Sequence, residues 1–338
     1  MGRSVPADYH HLPRAAKAEN DATAIRGQCC YGVVRSALLV GSQNAWLRDH
    51  VSTLPFIKRA VARFMPGERL EDALAAAAEL RRAGIGVVLT RLGENITDVA
   101  AARETAAHYV SVASELQRRG IDGDISVKLT QLGLDIDSQR CRESLLMLAD
   151  ETSRRGIKLW IDMEQSCYVE RTLDMRRALA SYPHAGVCLQ AYLRRTAADL
   201  AALVPLGGGI RLVKGAYREP ANVAFPAKRD VDENYFTLAT EMLAATRTSG
   251  LRAVFGTHDL NLITRIQRQA SSAGISPDAF EFHMLYGIER SAQARLARDG
   301  YRVKVLISYG EQWFPWYMRR LAERPANLMF VVRSLFTS

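Results

Sequence analysis

The sequence predicts an α/β protein folded as a (β/α)8 barrel of the TIM type, and three observations predict it. Eight short apolar runs rich in Val, Ile or Leu recur along residues 85 to 310. Stretches with helical spacing of apolar residues lie between them. Nearly every run ends on a side chain able to do chemistry. Strands alternating with helices need parallel pairing, because each crossover returns the chain to the same end of the sheet, and eight such units can close it.

The runs are Ile85 to Thr90, Ile125 to Thr130, Lys158 to Met163, Gly186 to Tyr192, Ile210 to Tyr217, Arg252 to His258, Phe280 to Gly287 and Arg302 to Gly310. Leu70, Leu74, Ala77 and Leu80 mark a helix before the first strand. Leu145, Leu146, Leu148 and Ala149 mark one before the third. In such a barrel the site lies where the strands end and the βα loops converge. Read in order, those ends are Thr90 and Arg91, Lys128, Asp162 and Glu164, Gln190, Lys214 and Tyr217, Thr257 and His258, then Leu285 and Tyr286. Strand ends are polar in any case because they meet solvent. A Lys, an Asp, a Gln, an Arg and a His converging on one mouth is harder to attribute to solvent alone.

At 338 residues the chain exceeds the roughly 250 of a plain barrel. The surplus divides into residues 1 to 80, an arm and helices expected to pack on the barrel, and a C-terminal piece within the catalytic region 81 to 338. Met1 to Asp21 reads as a loose arm, and Ala24 to Val51 carries helical spacing. Composition is ordinary for a globular protein, with 48% hydrophobic and 24% charged residues. No apolar run approaches the roughly twenty residues that span a bilayer, and no secretory signal opens the chain. The expected location is cytoplasmic, with peripheral contact at the inner membrane face compatible with a net charge of +9. That charge comes mainly from Arg pairs such as Arg81-Arg82 and Arg176-Arg177, which read as solvated helix faces. A nucleic-acid partner is not expected, because neither a basic stripe interleaved with aromatics nor a recognition motif is present.

Cys29, Cys30, Cys141, Cys167 and Cys188 lack the spacing of zinc or iron–sulfur ligands and read as free thiols. No metal is expected, since His258, His283 and Asp259 make no convincing ligand set. Gly207-Gly208-Gly209 precedes a strand, the wrong side for a dinucleotide fingerprint. A strand-end lysine, Lys128 or Lys214, leaves a Schiff-base enzyme open as one reading. A barrel kept only for binding is another.

The segment from Tyr309 to Asn327 adds a sharper signal. Pro315 suits a first helical turn and Pro325 ends the pattern, so Trp316 to Arg324 is expected to form one short helix. There Arg319 can pair with Glu323 at i, i+4 while Arg320 points at a ligand, or the reverse. Paired guanidinium groups match the two oxygens of a carboxylate. A solvated basic turn at a helix C-terminus is the alternative.

Taken together, Arg211-Leu212-Val213-Lys214-Gly215-Ala216-Tyr217, Gly256-Thr257-His258, Phe282-His283-Met284-Leu285-Tyr286-Gly287 and Arg319-Arg320-Leu321-Ala322-Glu323 resemble the proline dehydrogenases, the FAD-dependent enzymes of proline catabolism. The resemblance covers roughly residues 85 to 335 and implies a distorted (β/α)8 barrel with a C-terminal substrate-binding helix. It implies that Arg319 and Arg320 hold a substrate carboxylate, that Lys128 lies beside the amine and carboxylate, and that Asp162 is the strand-end aspartate near the substrate. Arg211 then donates toward the flavin. Gln190, Lys214, Gly215, Thr257, His258, Met284, Leu285 and Glu323 line FAD, and Leu285 also borders the substrate. Tyr217 packs near flavin and substrate, and Glu94 pairs with one of the arginines. The implied reaction is oxidation of L-proline, or a related cyclic imino acid, to 1-pyrroline-5-carboxylate by hydride transfer.

This sequence departs from the family pattern at four places. Thr90 stands where many members have Asp, Leu306 and Ser308 where Tyr and Pro are usual, and Trp316 where Tyr precedes the arginine pair. Carboxylate recognition is expected to persist, while the ring pocket changes shape and loses a hydroxyl, which opens the site to hydroxyproline or another analogue. The chain ends at Ser338, which leaves no room for an aldehyde-oxidising domain. The imine is therefore expected to pass to a separate enzyme. The electron acceptor, quinone or oxygen, is not legible.

Overall fold

The fold was taken from a computed structural model, which describes residues 61–314 and 316–318. The chain divides into two compact units, Lys58–Trp313 and a second made of Met1–Ile57 with Phe314–Ser338. The expected N-terminal arm and helices of residues 1–60 lie outside the described residues.

In the first unit all eight expected strands are present. They are β1 (Gly86–Arg91), β2 (Gly123–Val127), β3 (Leu159–Ile161), β4 (Ala185–Gln190), β5 (Gly209–Val213), β6 (Arg252–Gly256), β7 (Phe280–Leu285) and β8 (Arg302–Tyr309). They pair in sequence order, all parallel, into a closed barrel, with β8 returning to β1 through the pairs Gly86 to Lys304 and Arg91 to Tyr309. Among the described residues eight helices surround it: α1 (Leu70–Arg82), α2 (Val99–Arg118), α3 (Ser138–Arg154), α4 (Val169–Ala178), α5 (Thr196–Leu203), α6 (Lys228–Thr248), α7 (Leu260–Ser272) and α8 (Arg290–Arg298).

The helix starts follow from short polar side chains that satisfy orphan amides. Asp98 accepts from Ala101 N at 2.9 Å to open α2, Asp137 caps Gln139 and Arg140 at the start of α3, and Asp259 caps Asn261 and Leu262 at the start of α7. After α1 and α8 the chain turns into its next strand through Gly84 and Gly300, at φ +70° and +86°, a conformation a Cβ disfavours.

Alternation along each strand sends one set of side chains out to the helices and the other into the barrel. The outward set forms the main hydrophobic core with the helix stripes, including Val87, Leu89, Ile125, Leu159, Ile161, Val187, Leu212, Phe255, Phe282 and Met284. The inward set is unusual in its charge. Toward the N-terminal end, Asp124, Glu281, His283 and Lys304 are buried together beside a half-buried Arg252. Lys304 Nζ lies 2.7 Å from Asp124 Oδ1, and Arg252 grips Glu281 through Nε and Nη2 at 2.6 and 2.7 Å while reaching Asp124 Oδ2 at 3.0 Å. A thin apolar layer of Val88, Trp160, Val254 and Leu306 lies inside the barrel as well. Buried charges survive this environment because each is paired and hydrogen-bonded.

Candidate active site

Above that layer the inward positions of β2 to β5 converge on Arg211. This side chain is 3% exposed. Its Nη2 donates to Asp162 Oδ1 at 2.5 Å and to Ser126 Oγ at 2.7 Å, and its Nε points at Cys188 Sγ at 2.9 Å. Ser126 in turn donates to the same Asp162 oxygen at 2.8 Å. Arg211 Nη1 is buried and has no partner among the described residues. A guanidinium held on two of its three nitrogens keeps the third as a donor for a ligand.

The electrostatics follow from these contacts. Burial works against ionisation of Asp162, but Arg211, Lys128 and the Ser126 hydroxyl outweigh it and hold the carboxyl below its ordinary range. Burial also works against the charge on Arg211, and the ionised Asp162 carboxylate, with the Cys188 sulfur accepting from Nε, more than restores it. The Cys188 thiol, driven chiefly by burial, is pushed up to about 12 and stays protonated. Glu164, unlike Asp162, shifts upward: burial raises its pKa although Thr130 donates to it from N at 3.1 Å and Oγ1 at 2.6 Å. Lys128, half-buried at the end of β2, carries its charge toward both Asp162 and Glu164 and forms no ion pair among the described residues.

Gln190 ends β4 beside this group. Its Nε2 donates to the carbonyls of Met163 and Glu164 at 3.3 and 3.2 Å, and its Oε1 is buried without a partner among the described residues. On β6 and β7 the strand ends lock together, as Leu285 N donates to His258 Nε2 at 2.7 Å. Thr257 is buried, and its Oγ1 accepts from Asp259 N at 3.1 Å. Tyr217, in the loop after β5, and Leu285 are half-buried.

Four expected residues sit differently from a simple lining role. Lys214 Nζ is engaged by Asp232 at 2.5 Å and Asp259 at 2.8 Å, so it ties the β5 loop to α6 and to the α7 cap. Met284 falls on the outward parity of β7 in the hydrophobic core, so only its main chain faces the mouth. Gly215, at φ +112°, packs so closely on Tyr192 that a Cβ would come within 2.2 Å of the ring. Glu94 is half-buried in the loop after β1, close enough to Glu164 to raise its pKa. Of the C-terminal residues, Trp316 to Met318 are helical and belong to the second unit, and Arg319, Arg320 and Glu323 lie outside the described residues.

Comparison with known proteins decides the family. A sequence profile described as proline dehydrogenase matches residues 73–333. The chain belongs to the proline dehydrogenase family. It is 38% identical over 279 residues to the proline dehydrogenase of Deinococcus radiodurans, a match covering 81% of this chain and 89% of that protein. It is 35% identical over 277 residues to proline dehydrogenase 2 of Bacillus subtilis, covering 82% and 90%. The fold agrees with the solved structure of proline utilization A from Bdellovibrio bacteriovorus inactivated by N-propargylglycine, at a TM-score of 0.75 and 20% identity. That match covers 86% of this chain but only 36% of the larger protein. Membership makes the chain an oxidoreductase and gives the mouth of the barrel its role as the place to look for the reaction. Among the described residues no helix is long and apolar enough to cross a membrane, and no group of His, Cys, Asp or Glu could hold a metal ion.

Ser126 and Cys188 complete this proline dehydrogenase mouth and Trp160 underlies it, yet strand ends alone do not reveal them. The period-2 signal does: Asp124, Ser126 and Lys128 share one parity, as do Trp160 and Asp162, and Cys188 and Gln190.

Proposed function

We propose that the chain oxidises L-proline, or a closely related cyclic imino acid, to the cyclic imine 1-pyrroline-5-carboxylate, with FAD as its cofactor. The observation that carries this reading is a pair of buried groups on adjacent strands that have no partner among the described residues, the Arg211 Nη1 donor and the Gln190 Oε1 acceptor. An isoalloxazine ring edge carries both acceptors and an N–H donor, so this donor set suits it. Gln190, Arg211, Thr257, His258 and Leu285 would hold the ring, Gly215 and the main chain at Met284 would border it, and Lys214 and Glu323 would meet the rest of the cofactor. Bound there, FAD supplies the acceptor for the hydride that leaves the carbon beside the substrate nitrogen.

The chain's own residues prepare that carbon. Arg319 and Arg320 would clamp the carboxylate, with Glu94 as an ion-pair partner for one of them, and Lys128 beside amine and carboxylate would add a third positive charge. A cluster of cations disfavours a protonated amine, so the nitrogen keeps the lone pair that drives the reaction. Asp162 fixes Arg211 and carries the countercharge. Tyr217, Leu285 and Trp316 would exclude water around the ring. Thr90 and Ser308 are buried partners across the β1–β8 pair, and Leu306 sits in the apolar layer with Trp160. Small hydroxyl residues at this seam are the observation that favours ring-substituted analogues such as hydroxyproline as further substrates. On this reading the imine goes to a separate enzyme of the cytoplasm, and the electrons pass to a quinone at the membrane face or to oxygen.

Anaerobic titration of the purified, FAD-supplemented protein tests the proposal. Flavin absorbance bands that bleach with L-proline support it. A protein that binds no flavin, or flavin bands unmoved by both L-proline and hydroxyproline, overturns it.

A further inference from the structure

The Arg211 guanidinium rests on more than its hydrogen bonds. Its Cζ lies 5.0 Å from the ring centroid of Trp160, and Arg252 Cζ lies 4.9 Å from the same ring. The register places these two arginines at different heights, since Gly209 pairs with Arg252 and Arg211 with Val254. The indole therefore lies between the mouth and the ionic base of the barrel, and Arg211 sits above it.

Three features hold that indole in one orientation. Trp160 is fully buried in the middle of β3. Its ring occupies the space left by two glycines, where an added Cβ would approach it to 2.5 Å at Gly186 and 2.7 Å at Gly209. Its Nε1–H donates to Asp124 Oδ2 at 2.9 Å, and Asp124 is itself fixed by Lys304 and Arg252. The hydrogen bonds it donates to Ser126, Asp162 and Cys188 direct the guanidinium along its N–H vectors but do not stop it from dropping toward the barrel base. A π face beneath it does, and it attracts the cation as well.

We propose that Trp160 is a positioning residue, a floor anchored through Asp124 that sets how far Arg211 Nη1 reaches into the mouth. The proposal rests on the reading that Arg211 faces the bound flavin. Sulfite, which adds to oxidised flavin and reports the positive charge around it, is the probe, titrated by flavin absorbance in the FAD-loaded protein.

Trp160→Leu is expected to weaken sulfite binding about tenfold, and Trp160→Phe, which keeps an aromatic face and a filled core, about threefold. In an Arg211→Met background neither change is expected to have any further effect, because Trp160 acts only through Arg211. If Arg211→Met alone leaves sulfite affinity unchanged, the reading of Arg211 falls and takes the proposal with it. If Arg211→Met weakens sulfite binding while the Trp160 variants match the parent, or if their effects add to that of Arg211→Met, the floor role alone is overturned. Trp160→Phe decides the matter by the same criteria where the Leu variant does not fold.

Discussion

Replacing His283 by Gln is expected to flatten the acid side of the stability profile. His283 lies inside the barrel on β7 with a side chain 3% exposed, its Nε2 3.2 Å from Glu281 Oε2. Burial is the largest influence and opposes protonation, Arg211 and Arg252 add to it, and Glu281 only partly compensates because Arg252 already occupies both its oxygens. The result is a pKa of about 4 against an ordinary 6.5. Between those values the unfolded chain binds a proton that the folded chain refuses. The stabilisation is thus complete above the unfolded value and is lost as pH falls toward the folded one. From pH 7 to pH 5 this one residue removes about 2 kcal/mol, or about 4–8 °C in Tm for a domain of this size. Gln keeps an N–H donor for Glu281 and does not titrate. Thermal unfolding followed by circular dichroism at the two pH values, at constant ionic strength, is the assay. The variant's Tm is expected to fall less than the parent's by that amount, and an equal fall in both proteins would show that His283 is not the buried neutral group described above.

Four further outcomes are expected. Asp124→Ala strips a partner from Lys304, Arg252 and Trp160; because Lys304 keeps Asp122 and Arg252 keeps Glu281, the loss is expected near the low end for a broken buried pair, about 3 kcal/mol, read from thermal unfolding at pH 7. Gly186→Ala places a Cβ 2.5 Å from the Trp160 ring and 2.8 Å from the Gly209 carbonyl, neither able to yield easily, and is expected to destabilise by about 1–3 kcal/mol in the same melt. Asp162→Asn removes the countercharge that fixes Arg211 and is expected to lower kcat/KM with L-proline about ten- to a hundredfold in steady-state kinetics. Iodoacetamide mapping of the native protein at pH 8 is expected to label the exposed Cys167 quickly and to spare the buried Cys141 and Cys188, whose thiols burial pushes up to about 12, until denaturant is added.

The barrel was legible because hydrophobic periodicity is a local signal. Each of the eight apolar runs became a strand, and α1 and α3 cover the helical spacings at Leu70 to Leu80 and Leu145 to Ala149. The runs overreached at their C-terminal ends: β3 stops at Ile161 and β5 at Val213, where the polar residues begin to serve loops instead of ladders. The mouth was partly legible, since Asp162, Gln190 and Arg211 do converge. The ionic base was not, because Asp124, Arg252, Glu281 and Lys304 are far apart in sequence, and charges within strands look like edges until the closed topology brings them together. Lys214 illustrates the same limit, because its two carboxylate partners come from α6 and from the α7 cap, 18 and 45 positions away.

The packing of one indole against two glycines has a consequence for anyone wishing to remodel this protein. Positions 160, 186 and 209 form a single volume, so shrinking the first leaves a void that larger residues at the other two must fill, while enlarging either of those first produces a clash. Stepwise mutagenesis passes through destabilised intermediates in both directions. Libraries aimed at new substrates will retain more folded members if they vary the mouth alone and hold this trio constant, or else randomise all three codons together.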